Sequence, residues 1–155
     1  MGIRPGVSTI SEATAALDAH PWIADYRVNR TVALESGYMF WTWSGAQPDA
    51  IDGNSEGLIW FEDRRVIWLQ VTTRVPFGAL WREYGPPSSA SSWHVELTSE
   101  QAFHRAHYQA YDLLVEFDVL CPTHVQPYWS APVRLRFGAR TAEPGAFQPP
   151  RWGSC

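Results

Sequence analysis

Histidine is the residue type in this sequence that is best suited to acid–base or metal chemistry. The five histidines are His20, His94, His104, His107 and His124. Asp112 and Asp118 lie between His107 and His124 in the sequence, so an enzyme with a His/Asp acid–base pocket is one function that the sequence allows. His104 and His107 would share a face only on a helix. The pattern around them predicts strands, so we do not expect this pair to bind a metal.

Two further groups of residues have suitable chemistry but lack a diagnostic pattern. Cys121, which precedes Pro122, could act as a nucleophile, but a buried structural cysteine is the commoner case. Residues 52–57, DGNSEG, alternate carboxylate and amide oxygens that a calcium ion could use. They lack the ligand spacing of a known calcium loop, so a turn is predicted. We expect no catalytic residue, no metal and no cofactor, and we favour a protein that is not an enzyme.

Composition limits the kinds of partner that this chain can bind. Its 155 residues carry a formal net charge of -4, and all 12 of its basic residues are arginines. This acidic balance argues against a nucleic-acid partner held by bulk positive charge. No run of about eighteen apolar residues occurs, so no transmembrane segment is predicted. Composition leaves the location open between a cytoplasmic protein and a mature extracytoplasmic domain without its signal.

Two helices are predicted, one at the start of each half of the chain. Ser8 or Thr9 can cap the first, with Glu12 three residues after Thr9 as the partner of a capping box. The His20-Pro21 pair ends this helix, because the residue before a proline avoids helical backbone. The second helix lies in FGALWREYGPP, residues 77–87, and is again closed by a small residue and proline.

Short strands account for most of the remaining chain, each marked by alternating apolar and polar residues. In the first half they are predicted at residues 26–34, at residues 38–45, and in a hairpin over residues 57–73 that turns at residues 62–64. In the second half they are predicted at residues 93–98, in a hairpin over residues 104–120 that turns near residues 109–112, and at residues 132–137. A helix capped by Thr98 and Gln101 is the alternative for the first part of that second hairpin.

The order of these elements predicts an α+β fold. We expect two similar helix-plus-antiparallel-sheet halves that form one compact, β-rich domain with the helices on one sheet face. The single domain would cover residues 1–155, with a first half at 8–73, a second half at 74–138 and an extended C-terminal tail at 139–155. Residues 132–137 match residues 66–71 in apolar parity, which favours an internal duplication.

This organisation resembles a known type of domain. The motifs HPW at residues 20–22 and FGALWREYGPP at residues 77–87 each join a helix to a proline turn that precedes a small antiparallel sheet. In this the chain is similar to the tandem units of beta-lactamase-inhibitor-like domains and of SmpA/OmlA outer-membrane lipoprotein domains. The resemblance implies a non-enzymatic protein-binding module outside the cytoplasm, with the open sheet face as its contact surface.

The alternation of side chains divides each predicted strand into an inward and an outward face. In the aromatic run YMFWTWSG, the inward residues are Met39, Trp41 and Trp43, and the outward residues are Tyr38, Phe40 and Thr42. In the next hairpin the inward residues are Ile59, Phe61, Ile67, Leu69 and Val71, and the outward residues are Leu58, Trp60, Glu62, Val66, Trp68 and Gln70. In the second half the inward residues are Val115, Phe117, Val133, Leu135 and Phe137, and the outward residues are Glu116, Asp118, Arg134 and Arg136.

The outward face has the composition that protein interfaces favour, with rigid aromatic rings beside arginines and carboxylates. The predicted binding residues are Tyr38, Phe40, Thr42, Trp60, Trp68, Gln70, Glu116, Asp118, Arg134 and Arg136. We therefore predict a protein-binding module whose partner is another protein. If a loop or a terminus covers this face, Trp60 and Trp68 are ordinary core residues. A small-molecule or carbohydrate-binding domain, in which rings stack on a sugar, is the alternative.

The tail at residues 139–155 is too rich in proline and glycine for a helix or a central strand. It is predicted to run extended over the surface. Cys121 and Cys155 are the two cysteines, and a disulfide between them would pin the tail to the sheet and favour an oxidising compartment. A free terminal thiol at Cys155 is the other possibility.

Overall fold

The computed structural model describes residues 2–31, 35–95 and 101–138, and each of the predicted helices and strands that falls in these ranges is present. The helices are α1 (Ile10–Asp18), α2 (Phe77–Tyr84) and α3 (Val125–Ser130). The strands are β1 (Ile23–Thr31), β2 (Ser36–Trp43), β3 (Gly57–Glu62), β4 (Arg65–Pro76), β5 (Ser89–Val95), β6 (Gln101–Tyr108), β7 (Leu113–Leu120) and β8 (Pro132–Phe137).

The strands form an antiparallel sheet with the order β1-β2-β3-β4-β8-β7-β6-β5. The predicted α+β class is therefore confirmed. By its contacts the described chain divides into two compact units: unit 1 holds residues 2–72 with 136–138, and unit 2 holds residues 73–135. The long strand β4 begins in unit 1 and ends in unit 2, and the shorter β8 begins in unit 2 and ends in unit 1.

Helix α1 begins with the predicted capping box. The Thr9 hydroxyl oxygen accepts a hydrogen bond from the Glu12 backbone N–H at 3.2 Å, and a Glu12 carboxylate oxygen accepts one from the Thr9 backbone N–H at 2.7 Å. These reciprocal bonds satisfy two N–H groups that an α-helix cannot pair internally. They also hold the pKa of Glu12 below its usual value, because the hydrogen bonds favour the ionised carboxylate.

Trp41 is at the centre of the core of unit 1. Its side chain is fully buried, together with Met39 on the same strand and Ala13 and Leu17 of α1. Opposite Trp41 on β3 stands Gly57, where any side chain would overlap the indole ring. A residue without a Cβ at this position lets the ring lie against the neighbouring backbone.

A register shift next to the turn between β3 and β4 explains one wrong prediction. The two residues of the turn, Asp63 and Arg64, both have positive φ, the conformation of the tight turns that favour hairpins. Just beyond it the register shifts, so that Trp60 faces Trp68 while Phe61 faces Val66. The extra residue on β4 forms a β-bulge. Residues between the turn and this bulge therefore face the opposite side from the one that strict alternation predicts. Val66 is therefore fully buried in the core, although strict alternation predicted it to face outward.

The core of unit 2 contains a cluster of aromatic rings. Phe77 of α2 is fully buried and stacks on Phe117 of β7, with 4.5 Å between ring centroids. It also meets Tyr128 edge to face at 5.5 Å and stacks on Trp129 at 5.5 Å. Both of these rings come from α3, which the sequence did not reveal. That helix has six residues, with Pro127 in its first turn, so it shows too little periodicity to be recognised.

The hairpin predicted over residues 104–120 is present as β6 and β7, joined by one turn of 3-10 helix at Gln109–Tyr111. Asp112 closes the turn with φ of 48°, a left-handed conformation that Asp tolerates better than most residues. The alternative helix in its first part, capped by Thr98 and Gln101, is wrong for the described residues, because Gln101 begins β6. Thr98 itself lies outside the described residues.

Candidate functional site

Four aromatic side chains gather on the side of the unit 1 sheet that faces away from the core. Tyr38 and Phe40 come from β2, Trp60 from β3 and Trp68 from β4. The strand register places Tyr38 directly opposite Trp60, and Trp60 directly opposite Trp68. A row of rings therefore crosses three adjacent strands. We call these four residues, with the arginines that stack on them, the aromatic face.

The rings of the aromatic face touch one another at an angle. Tyr38 lies 4.5 Å from Trp60, 6.1 Å from Phe40 and 6.3 Å from Trp68, measured between ring centroids. The corresponding angles between ring planes are 50°, 37° and 61°. Tilted and edge-on pairs of this kind stabilise each other and hold the rings in place. The surface that they present is uneven, because the ring of Tyr38 is tilted against each of the other three.

An arginine stacks on each end of the row. Arg136 of β8 lies 4.5 Å from the centre of the Trp68 ring, and its Nε and Nη2 groups donate to Gln70 Oε1 at 3.2 and 2.9 Å. Arg27 of β1 stands opposite Phe40 in the register, and its guanidinium lies 4.7 Å from the ring centre. Contacts of a guanidinium with the flat side of an aromatic ring are favourable and fix the orientation of the cation.

Arg27 is held in place by a carboxylate as well as by a ring. Its Nη1 and Nη2 groups donate to the two oxygens of Glu56, with 2.7 Å between Nη2 and Oε2. This bidentate pair lowers the pKa of Glu56, because the hydrogen bonds favour the ionised carboxylate. Neither residue was predicted as part of the site. The alternation of β1 places Arg27 on the polar side, but only the strand register shows that it faces Phe40.

The burial of β2 follows the predicted alternation. Met39 and Trp41 are fully buried, whereas Tyr38 is 40% exposed and Thr42 is exposed. Phe40, Trp60, Trp68, Gln70 and Arg136 are partly buried, because neighbouring rings and guanidinium groups cover part of each one. Thr42 faces the same side of the strand as Tyr38 and Phe40, and its hydroxyl lies 3.5 Å from the Asp25 carbonyl oxygen.

The predicted binding residues of unit 2 form two ion pairs. Glu116 accepts hydrogen bonds from Arg105 at 3.1 and 2.9 Å and is buried, and Asp118 lies 3.3 Å from Arg134. Arg105 also lies 5.0 Å from the centre of the Trp93 ring. Trp93 and Arg105 were not predicted as site residues, since their strands showed no aromatic run comparable with the one in β2. Glu116 was predicted to face an open surface, but Arg105 covers it.

His104 is the most buried histidine among those whose side chains the structure describes. Its ring stacks on Phe117 at 5.1 Å and meets Tyr128 edge to face at 5.0 Å, and its Nδ1 lies 2.7 Å from the Ser92 hydroxyl oxygen. Burial lowers the pKa of His104 to about 4, although the negative charge of Asp118 opposes the effect. A general base works best with a pKa near the working pH. The surroundings of His104 therefore favour a structural role over the alternative of a His/Asp acid–base pocket.

The other residues considered for chemistry are dispersed. His107 is buried on β6, and His20 accepts a hydrogen bond from the Trp22 backbone N–H. In the residues 52–57 loop, Asp52 accepts from the Ser55 hydroxyl at 2.7 Å, as expected of a turn. Within the described residues, no three His, Cys, Asp or Glu side chains converge as metal ligands would. The side chain of His94 lies outside the described part of the chain.

The cysteine prediction is only half covered by the described residues. Cys121 follows β7 directly and is not a free thiol. Cys155 lies outside the described residues, as does the tail at residues 139–155. The disulfide between Cys121 and Cys155 therefore stays a prediction.

Comparisons of this chain with protein-family models, with curated proteins and with solved structures found no match. The resemblance to beta-lactamase-inhibitor-like and SmpA/OmlA domains accordingly stays a prediction. Among the described residues, no helix combines the length and the apolar character needed to cross a lipid bilayer.

Proposed function

We propose that this protein is a non-enzymatic interaction module that binds another protein through the aromatic face of unit 1. The observation that carries the proposal is the row formed by Tyr38, Trp60 and Trp68 on the side of the sheet away from the core. Tyrosine, tryptophan and arginine are the residue types that contribute most binding energy at protein interfaces. Here they occur together, and ring contacts hold them in place before a partner arrives.

The geometry favours a protein over a sugar as the partner. A pyranose ring stacks on the open face of an aromatic ring, so sugar sites offer exposed, flat ring surfaces. In the aromatic face, the guanidinium groups of Arg27 and Arg136 already stand over Phe40 and Trp68. The two remaining rings, Tyr38 and Trp60, are tilted against each other by 50°. An uneven surface of ring edges and guanidinium groups suits an irregular protein patch.

The same features define the chemistry of the partner. The centre of its patch would be apolar and would cover Tyr38 and Trp60. Carboxylate or carbonyl oxygens would lie at the rim, where Arg27 and Arg136 can donate hydrogen bonds. Because the ring contacts already restrict these two side chains, binding would cost little of their conformational entropy.

Three further proposals accompany this one. The net charge of -4 supports a partner other than nucleic acid. The occurrence of a helix followed by antiparallel strands in both units is in keeping with an internal duplication. An extracytoplasmic location is in keeping with the resemblance to SmpA/OmlA lipoprotein domains and with the predicted disulfide between Cys121 and Cys155.

Two matched variants test the proposal. Tyr38 and Trp93 are both 40% exposed, but only Tyr38 belongs to the aromatic face. Immobilised wild-type protein, Tyr38→Ala and Trp93→Ala would be exposed to an extract of the source cells, and the retained proteins quantified by mass spectrometry. We expect at least one protein to be retained by the wild type and by Trp93→Ala but depleted about tenfold or more with Tyr38→Ala.

Circular dichroism must show that each variant keeps its fold. If both variants retain the same proteins as the wild type, the aromatic face is not the binding surface. The same three proteins on a glycan array test the alternative. If the wild type binds a sugar and Tyr38→Ala does not, the ligand of the aromatic face is a carbohydrate and not a protein.

A further inference from the structure

A groove lies between α2 and α3 in unit 2, and none of its lining residues belongs to the aromatic face. Its volume is about 520 Å³, within the range of pockets that hold small molecules. The apolar part of its lining includes the side chains of Trp81 and Trp129. The polar part includes Arg82 and Gln126. A largely apolar cleft with a few polar groups is the usual composition of a ligand site.

The two tryptophans give the groove a shape that fits a flat ring. Their centroids are 5.2 Å apart, and their planes meet at 78°. One indole therefore presents its edge where the other presents its face. An aromatic ligand can stack on one ring while it meets the other edge-on, and both arrangements are favourable.

Small residues on α2 line the groove and let the two helices approach closely. A Cβ at Gly78 would come within 3.0 Å of the Trp129 carbonyl oxygen, so a residue without a side chain allows the close approach of α3. Ala79 is the next residue and lines the groove. A large side chain at Ala79 would fill the space that a ligand would occupy.

Arg82 supplies a positive charge beside this apolar space. It lies in the last turn of α2 and is exposed. Arg27, Arg105 and Arg134 each pair with a carboxylate, whereas Arg82 has no such partner within the described residues. A guanidinium binds a carboxylate through two parallel hydrogen bonds. Gln126, across the groove on α3, can donate a further hydrogen bond.

We propose that this groove binds a small aromatic carboxylate. The aromatic body of the ligand lies against Trp81 and Trp129, and its carboxylate is bound by the guanidinium of Arg82. The proposal goes beyond the protein-binding function, because it uses different residues in a different unit. Either proposal can fail without affecting the other.

The first experiment compares a charged ligand with its neutral counterpart. The protein would be titrated with 2-naphthylacetate and with 2-naphthylacetamide, while NMR follows the indole N–H signals. Trp81 and Trp129 signals are assigned by Trp→Phe substitution. We expect both signals to shift with saturation, and the carboxylate to bind about tenfold more tightly than the amide, because only the carboxylate forms the charged pair with Arg82.

Three variants identify the groups responsible. Arg82→Gln should weaken carboxylate binding about tenfold, to the level of the amide, and leave amide binding nearly unchanged. Ala79→Phe should prevent binding of both compounds by filling the groove. Arg64→Gln removes the same charge from an exposed position in unit 1 and should leave both affinities unchanged.

Several results would overturn the proposal. Equal affinity for the carboxylate and the amide would mean that Arg82 does not recognise the ligand. Retained binding in folded Ala79→Phe would place the site elsewhere, as would saturable binding that leaves the Trp81 and Trp129 signals unmoved. Absence of saturable binding at millimolar concentration would also refute it. Shifts of these signals with protein concentration alone would identify a second copy of the chain as the occupant instead.

Discussion

In unit 1 the rings of Tyr38, Trp60 and Trp68 lie on the side of the sheet away from the core. In unit 2 the rings of Phe77 and Phe117 stack on each other inside the core of that unit. The helices explain the difference. Helix α1 buries Ala13 and Leu17 against a side of the sheet that carries two buried rings, those of Trp41 and Phe61. Helices α2 and α3 bring aromatic residues of their own.

The two positions suit two roles for aromatic residues, stabilisation of the fold and the proposed recognition of a partner. A ring that packs under a helix contributes its buried area to folding. A ring on the opposite side of the same strand contributes less to folding and stays accessible to a partner. Unit 1 places Trp41 and Phe40, which are neighbours in the sequence, in these two different environments.

The largest expected effect is the loss of a buried ring in unit 1. Trp41→Ala should lower the free energy of unfolding by about 3 to 5 kcal/mol, because it leaves a cavity against Gly57 and removes a fully buried side chain. Thr42→Ala, one residue away and exposed, should cost less than about 0.5 kcal/mol. Urea denaturation measures both. Equal losses at the two positions would contradict the assignment of the two faces.

The second expected effect concerns the ionisation of His104 in the aromatic core of unit 2. Its pKa is about 4 in the folded protein, below the usual value of 6.5. The fold therefore favours the neutral ring. The stabilisation is fully present above about pH 6.5 and is lost as the pH falls toward 4, by at most about 3 kcal/mol.

Two variants separate His104 from the other groups that titrate in this range. His104→Phe keeps an aromatic ring against Phe117 and Tyr128 but cannot be protonated. Its unfolding free energy should fall less steeply than that of the wild type between pH 6.5 and 4. His124→Phe removes an exposed histidine and should keep the wild-type slope. Identical slopes for His104→Phe and the wild type would show that His104 does not cause the pH dependence.

Elements with strong local patterns were predicted well from the sequence. The capping box at Thr9 and the alternation in β2 both depend on residues close together in the sequence, and both are present. Alternation failed at Val66, because a β-bulge shifts the register without any signal in the local pattern. Helix α3 was missed because it is short, and its aromatic residues acquire their role only by packing on Phe77.

The candidate sites depend even more on long-range contacts. The outward orientation of Tyr38, Trp60 and Trp68 was predicted by parity alone. The stacking of Arg27 on Phe40 and the pairing of Arg105 with Glu116 depend on which strands are neighbours and in what register. The α2–α3 groove depends on a helix that the sequence did not reveal. Local sequence patterns do not contain this information.

The smallest expected effect distinguishes two similar ion pairs. The side chains of Arg105 and Glu116 are 27% and 11% exposed, whereas those of Arg27 and Glu56 are 61% and 38% exposed. Salt screens exposed charges far more than buried ones. Double-mutant cycles with Arg→Gln and Glu→Gln would be measured in 0.05 M and 1 M NaCl.

We expect the coupling between Arg105 and Glu116 to persist at both salt concentrations, because burial limits screening and leaves an unpaired charge costly. The coupling between Arg27 and Glu56 should be small at low salt and undetectable at high salt. When the coupling with Glu56 is lost, Arg27 should stay over the ring of Phe40, because a cation–π contact does not require the carboxylate. A coupling of Arg27 with Glu56 that equals the buried one and resists salt would mean that this edge of the aromatic face is shielded from solvent, and would count against its role as a binding surface.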